Sequence, residues 1–140
     1  ILNSKNIQFE YTNDIRKAVW EKLIMVASIG SIMCYSNKDA KNTVNDMSYL
    51  KILEGMITEM TNASISIGVN IDKNYAKDTL RYILNRSENL HSSLKEDFDH
   101  NRPLELDQIL GEAYRTGINN NVDMPNCKLV YEKLIKFVKV

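Results

Sequence analysis

Apolar residues recur along this chain three and four positions apart, the repeat of a helix that buries one side. The first such stretch follows Thr12-Asn13-Asp14, which offers caps, and runs from about Ile15 to Cys34. Its second half, Leu23-Ile24-Met25-Val26-Ala27-Ser28-Ile29-Gly30-Ser31-Ile32-Met33-Cys34, is the most apolar run in the sequence. After a polar stretch, Asp46 can cap a second long helix in which Leu50, Leu53, Ile57, Met60 and Ile67 share a face and Gly68 is the stop. Asp72 can cap a third, carrying Tyr75, Leu80, Ile83 and Leu84, and a fourth helical stretch covers Glu88 to Phe98. Pro103 suits the first turn of a fifth, with Leu106, Ile109, Leu110 and Ala113 on one side and an end near Gly117. A final helix begins around Pro125-Asn126 and carries Val130, Leu134, Phe137 and Val138. With only five glycines and two prolines to interrupt them, these segments predict an all-α domain of about six helices. Ahead of them, Ile7-Gln8-Phe9-Glu10-Tyr11 alternates and reads as a short strand or an extended lead-in.

Composition narrows the function classes. A chain of 140 residues, 44% hydrophobic and 26% charged, is large enough for one domain with a real core. Lys plus Arg and Asp plus Glu stand at 18 each, so there is no electrostatic footprint for nucleic acid or an anionic membrane. The run Leu23 to Cys34 is shorter than the roughly 20 apolar residues that cross a bilayer. The start of the chain has no basic region followed by an apolar stretch, the pattern of a secretory signal. Two cysteines make no disulfide framework. Cys34 reads as a small buried hydrophobe, whereas Cys127 falls at a helix start, where a thiol can be acidified. The two histidines, His91 and His100, are too scattered from the cysteines for a zinc site, so no metal is expected. Together these features predict a reducing, cytoplasmic setting. Lys133, Lys136 and Lys139 suit the C-terminal end of a helix dipole and need no nucleic-acid explanation.

One residue breaks the apolar pattern. On a helix of 3.6 residues per turn, Lys22 shares a face with Ile15, Ala18, Val19, Val26 and Ile29. Two readings are open. Its stem packs and its head reaches water, or it is a tunable ammonium at the edge of a buried surface, as a general acid or an anion site needs. A second unusual stretch runs from Ser92-Ser93-Leu94-Lys95-Glu96-Asp97 to Arg102-Pro103-Leu104-Glu105-Leu106-Asp107. In it Glu105 falls in the first turn after Pro103, either as a carboxylate favoured by the dipole or as one at a pocket rim. Ser92-Ser93 alone could be a helix-start feature.

Taken in order, these segments resemble the C-terminal domain of the ketopantoate reductases (2-dehydropantoate 2-reductases), a helical domain of the 6-phosphogluconate dehydrogenase-like type. The family's Trp-x-Lys is matched by Trp20-Glu21-Lys22. Its Ser-Met-x-x-Asp is matched by Ser93 to Asp97, and its Arg-x-Thr-Glu-x-Asp and following Gly by Arg102 to Asp107 and Gly111. The Pro and aliphatic-aromatic pair near its end are matched by Pro125 and Val130-Tyr131. The similarity covers nearly the whole chain from about Asp14.

The resemblance implies an NADPH-dependent reductase of a 2-keto acid, with ketopantoate, the precursor of pantoate in pantothenate biosynthesis, as the family substrate. It implies that Lys22 is the general acid, that Glu105 hydrogen-bonds the substrate near its hydroxyl, and that Ser93 binds the substrate carboxylate. It further implies that residues 1–13 lead in from an N-terminal dinucleotide-binding domain, with residues 14–140 as the substrate domain, and it allows a homodimer. No glycine-rich phosphate loop can be written, because the glycines lie at least six residues apart, so this chain alone is expected to be inactive. Departures from the family fall on the lysine helix: Val26 and Gly30 stand where many members carry Asn. Leu104 stands for the usual Thr and Leu94 for Met. A non-catalytic helical binding or oligomerisation module that keeps the fold is the alternative.

Overall fold

A computed structural model describes residues 13–138, and those residues form an all-α fold without strands. The alternating segment Ile7–Tyr11 and Lys139 lie outside them. Seven helices run α1 (Ile15–Ser36), α2 (Ala40–Val44), α3 (Met47–Ser66), α4 (Tyr75–Arg86), α5 (Ser93–Asp99), α6 (Glu112–Asn119) and α7 (Pro125–Leu134). A π-helical turn, Asp107–Gly111, leads into α6, and a short 3-10 turn, Ile135–Phe137, ends α7.

The two long helices begin where the sequence predicts. The Asp14 carboxylate accepts the Lys17 backbone N–H at 3.0 Å and Asp46 accepts that of Ser48 at 3.1 Å. Asn37 closes α1 in the left-handed region at φ 53°, and Gly68 follows α3 at φ 84°. α1 and α3 pack together at the centre of the core, joined there by α5, α6 and α7. Ile24, Ile32, Leu53, Met56, Ile57 and Met60 are fully or almost fully buried along their shared seam. Each buried Leu, Ile or Met contributes about 1.5–3 kcal/mol relative to exposure. α1 is long and apolar enough in composition to cross a membrane, but half of that window is buried inside the fold. Those contacts make it the central helix of a folded core.

One helix is added and three predicted starts move. The seventh helix, α2, lies in the stretch the sequence leaves polar. Asp39 caps it, accepting the Asn42 N–H at 2.8 Å, and its Ala40, Thr43 and Val44 are buried. α4 starts at Tyr75, and Asp72 instead closes a turn, accepting the Asn74 N–H at 2.8 Å. α5 starts at Ser93 rather than Glu88, because the Ser92 hydroxyl accepts the Lys95 N–H at 3.3 Å and so fixes the start. Pro103 begins no helix. Residues 102–105 stay irregular, anchored by buried Leu104 and Leu106, and regular turns resume only at Leu106.

The junction of α3 and α7 uses a buried charge. Glu59 accepts the Asn126 backbone N–H at 2.8 Å, the Asn126 side-chain amide at 2.7 Å and the Cys127 N–H at 2.8 Å. A carboxylate from one helix thereby caps the N-terminus of another, which Met124 cannot do for itself. Gly55, one turn earlier on α3, leaves room for the same amide: a Cβ there would lie 2.2 Å from Asn126 Nδ2.

Candidate functional site

Helix α1 has two characters. From Ala27 to Cys34 every residue is buried. Towards its start, the stripe holding Lys22 faces outwards: Ile15 is 70% exposed, Val19 58% and Val26 37%, and Lys22 is exposed. The expected buried surface around Lys22 is therefore absent, because the described residues bring no element over that side of the first turns. Its ammonium has no hydrogen-bond or ion-pair partner among the described residues. Among the described residues the lysine thus stands as an unpaired cation on an uncovered apolar face.

One turn further along that face, Met25, Val26 and Ile29 meet the segment Leu90–Ser93 across a cavity of about 170 Å³. Ser93 lies on its wall, so the structure brings Ser93 against the helix that carries Lys22. Ser92 supplies the cap of α5, the helix-start role, and also closes on Gly30, where a Cβ would lie 2.7 Å from the Ser92 Oγ. Gly30 is therefore a close-packing glycine. Glu105 is exposed, one residue ahead of Leu106, and without a partner among the described residues. Its predicted place in a first helical turn is corrected by the irregular stretch after Pro103. The π-helical turn that follows it does pack against α1.

That turn carries a polar cluster whose pairing the sequence does not reveal. The Asp107 carboxylate accepts from Arg115 Nη1 at 2.7 Å and from the Tyr131 hydroxyl at 2.6 Å. Arg115, then Tyr131, hold the Asp107 carboxyl below the usual carboxylate range, and Asp107 in turn raises Tyr131. Gly111 admits the arrangement, since a Cβ there would lie 2.5 Å from Asp107 Oδ1. In the sequence, Asp107, Gly111 and Tyr131 stood out only as separate positions of the family pattern, with nothing to join them.

A larger cavity, about 680 Å³, lies on the other side of Leu90–Ser92, between residues 33–41 and 87–100. Its three lysines are all paired. Lys38 pairs with Asp46 at 3.3 Å and Lys41 with Glu88 at 2.9 Å; buried Lys95 pairs with Asp99 and reaches Asn37 Oδ1 at 3.2 Å. Neither Lys22 nor Glu105 lines it. The cysteines are also settled. Burial pushes the Cys34 thiol up to about 12. Burial and then Glu59 raise Cys127, so its place at a helix start does not acidify the thiol. Among the described residues no cluster of His, Cys, Asp or Glu is arranged to hold a metal ion.

Comparison with known proteins gives a consistent result. The family described as ketopantoate reductase PanE/ApbA C terminal matches residues 14–138. A 2-dehydropantoate 2-reductase from Nostoc sp. is 23% identical over 128 residues, covering 91% of this chain and 40% of that protein. Among solved structures, the dimeric ketopantoate reductase from Staphylococcus aureus superposes with a TM-score of 0.85 at 20% identity, over 94% of this chain and 46% of that one. D-mandelate dehydrogenase, in its ternary structure with NADH and anilino(oxo)acetate, superposes with a TM-score of 0.80 at 14% identity, over 93% of this chain and 44% of its own. The chain spans less than half the length of each of these relatives.

Proposed function

The chain belongs to the ketopantoate reductase family, matching its C-terminal domain, and from that premise we propose that it is the substrate-binding half of a reductase that turns a 2-keto acid into a 2-hydroxy acid. The observation that carries this reading is the unpaired Lys22 ammonium on an uncovered face of α1, one turn from the cavity that Ser93 lines. Reduction of a ketone builds negative charge on its oxygen. An ammonium facing that oxygen stabilises the alkoxide and delivers the proton that completes the hydroxyl. Ser93 is the donor for the substrate carboxylate. Glu105, at the head of the segment packed on α1, accepts from the hydroxyl that reduction forms and helps keep the lysine charged.

A nicotinamide cofactor supplies the hydride in such chemistry. The described residues do not fit it: Gly30, Gly55, Gly111 and Gly117 sit inside helical turns against side chains, and Gly68 ends α3, so they form no phosphate cradle. NADPH is accordingly assigned to another domain of the full-length protein, which we place before this one, in the cytoplasm. A homodimer follows the assembly of the Staphylococcus aureus relative. The test is NADPH oxidation by the full-length protein with a panel of 2-keto acids. Ketopantoate, the substrate in the relatives' names, is the first to assay. Turnover with at least one is expected. A folded, NADPH-binding protein that turns over none would favour the non-catalytic module.

A further inference from the structure

The cavity beside Lys22 has a chemical preference of its own. Its α1 wall is Met25, Val26 and Ile29, and Leu90 faces them. Three polar side chains border it: His91, Ser92 and Ser93. Ser92 is already engaged, capping α5 through the Lys95 N–H. Position 30 cannot offer a polar group, because any side chain there meets Ser92 at once. Met25 also lines a second cavity of about 340 Å³, shared with Tyr75, Asp78, Thr79 and Tyr82 of α4, whose one carboxylate, Asp78, pairs with Arg81 at 3.7 Å. The Tyr75 hydroxyl is turned away from ligand duty by donating to the Glu21 carbonyl at 2.6 Å.

Resting on the reading above, we infer that the substrate's side chain lies on this apolar wall and that Val26 is the specificity-determining residue, selecting 2-keto acids with an apolar branch over those bearing a hydroxyl. A substrate hydroxyl placed against Val26, Ile29 and Leu90, away from His91 and Ser93, loses its water and gains no partner from those three side chains. An apolar branch buries surface instead. A cavity of about 150 Å³ lined by aliphatic side chains is known to take a benzene-sized group, so the 170 Å³ here suits a branched or aryl substituent. The size of discrimination to expect from such a wall is roughly ten- to a hundredfold.

The experiment compares two substrates that differ by one hydroxyl, ketopantoate and 3,3-dimethyl-2-oxobutanoate, in NADPH oxidation by the full-length protein. The wild type is expected to give a kcat/KM about tenfold or more higher for the dimethyl compound. Val26→Asn, which puts an amide on the wall, is expected to erase or invert that ratio. Val26→Thr, closer in shape, is expected to move it part of the way. A wild type that prefers ketopantoate, or a ratio that neither variant moves, overturns the inference and leaves the reductase reading standing. Absence of turnover with every 2-keto acid overturns both.

Discussion

Glu59 and Lys22 each place a charge among the apolar positions of a long helix, and the fold treats them in opposite ways. Glu59 is buried, and its two oxygens accept three N–H groups from the start of α7. Lys22 is exposed on an uncovered face, with no acceptor among the described residues. A buried carboxylate with every contact satisfied works for the fold, because removing it orphans buried donors. A cation left unpaired costs the fold little and stays available to a substrate. The lesson is that charge on an apolar face has no single meaning; its partners decide.

The largest effect expected from breaking this contrast is kinetic. In the full-length enzyme, Lys22→Ala should lower kcat by about 10²–10⁴-fold, the range for a lost general acid, with thermal unfolding nearly unchanged. Steady-state kinetics beside a melting curve check it, and wild-type turnover in that variant would sink the assignment. Glu59→Ala should behave in reverse. Leaving the Asn126 and Cys127 N–H groups unpaired is expected to cost about 3 kcal/mol, with Tm falling on the order of 10 °C and kcat of the folded fraction retained. A melting point within a degree or two of the wild type would mean that water replaces the cap.

Gly55→Ala sharpens the same point through packing. Its Cβ would strike the Asn126 amide, so a loss of about 1–3 kcal/mol in denaturant titrations is expected, and Glu59→Ala in the same chain should remove part of that penalty. The smallest effect concerns Asp107, held low by Arg115 and Tyr131. A carboxyl lowered in the folded state contributes stability above its ordinary pKa, about 3.9, and that contribution fades as pH falls through the folded value. Asp107→Asn should therefore lower Tm modestly at neutral pH, with the difference from the wild type shrinking below about pH 4 so that the acid limb flattens. An unchanged acid limb would show that the cluster does not couple to folding.

Local signals carried the long elements. Asp14, Asp46, Gly68 and Pro125 mark ends through contacts within a few residues, and each stands at or beside the boundary it predicts. What the sequence hid depends on distant partners. Glu59 reads as one more polar position on α3 until Asn126, 67 residues later, folds back onto it. The outward turn of Ile15 and Val19 was equally hidden, since periodicity marks an apolar stripe without saying what covers it. Pro103 misled because buried Leu104 and Leu106 hold the chain in an irregular path where a helix start was available. At the site, Lys22 and Ser93 were legible as unusual residues, whereas the wall formed by Val26, Ile29 and Leu90 needed α1 and the segment before α5 to be seen together.

Both thiols of this chain are buried and hard to ionise. Alkylating reagents at neutral pH should therefore pass them by, since the thiolate is the reactive form. That makes the chain a background-free host for chemical rebuilding. Lys22→Cys would carry its one accessible thiol, and aminoethylation there would restore an ammonium on a side chain with sulfur in place of one methylene. The lysine's charge could then be returned to a protein folded without it.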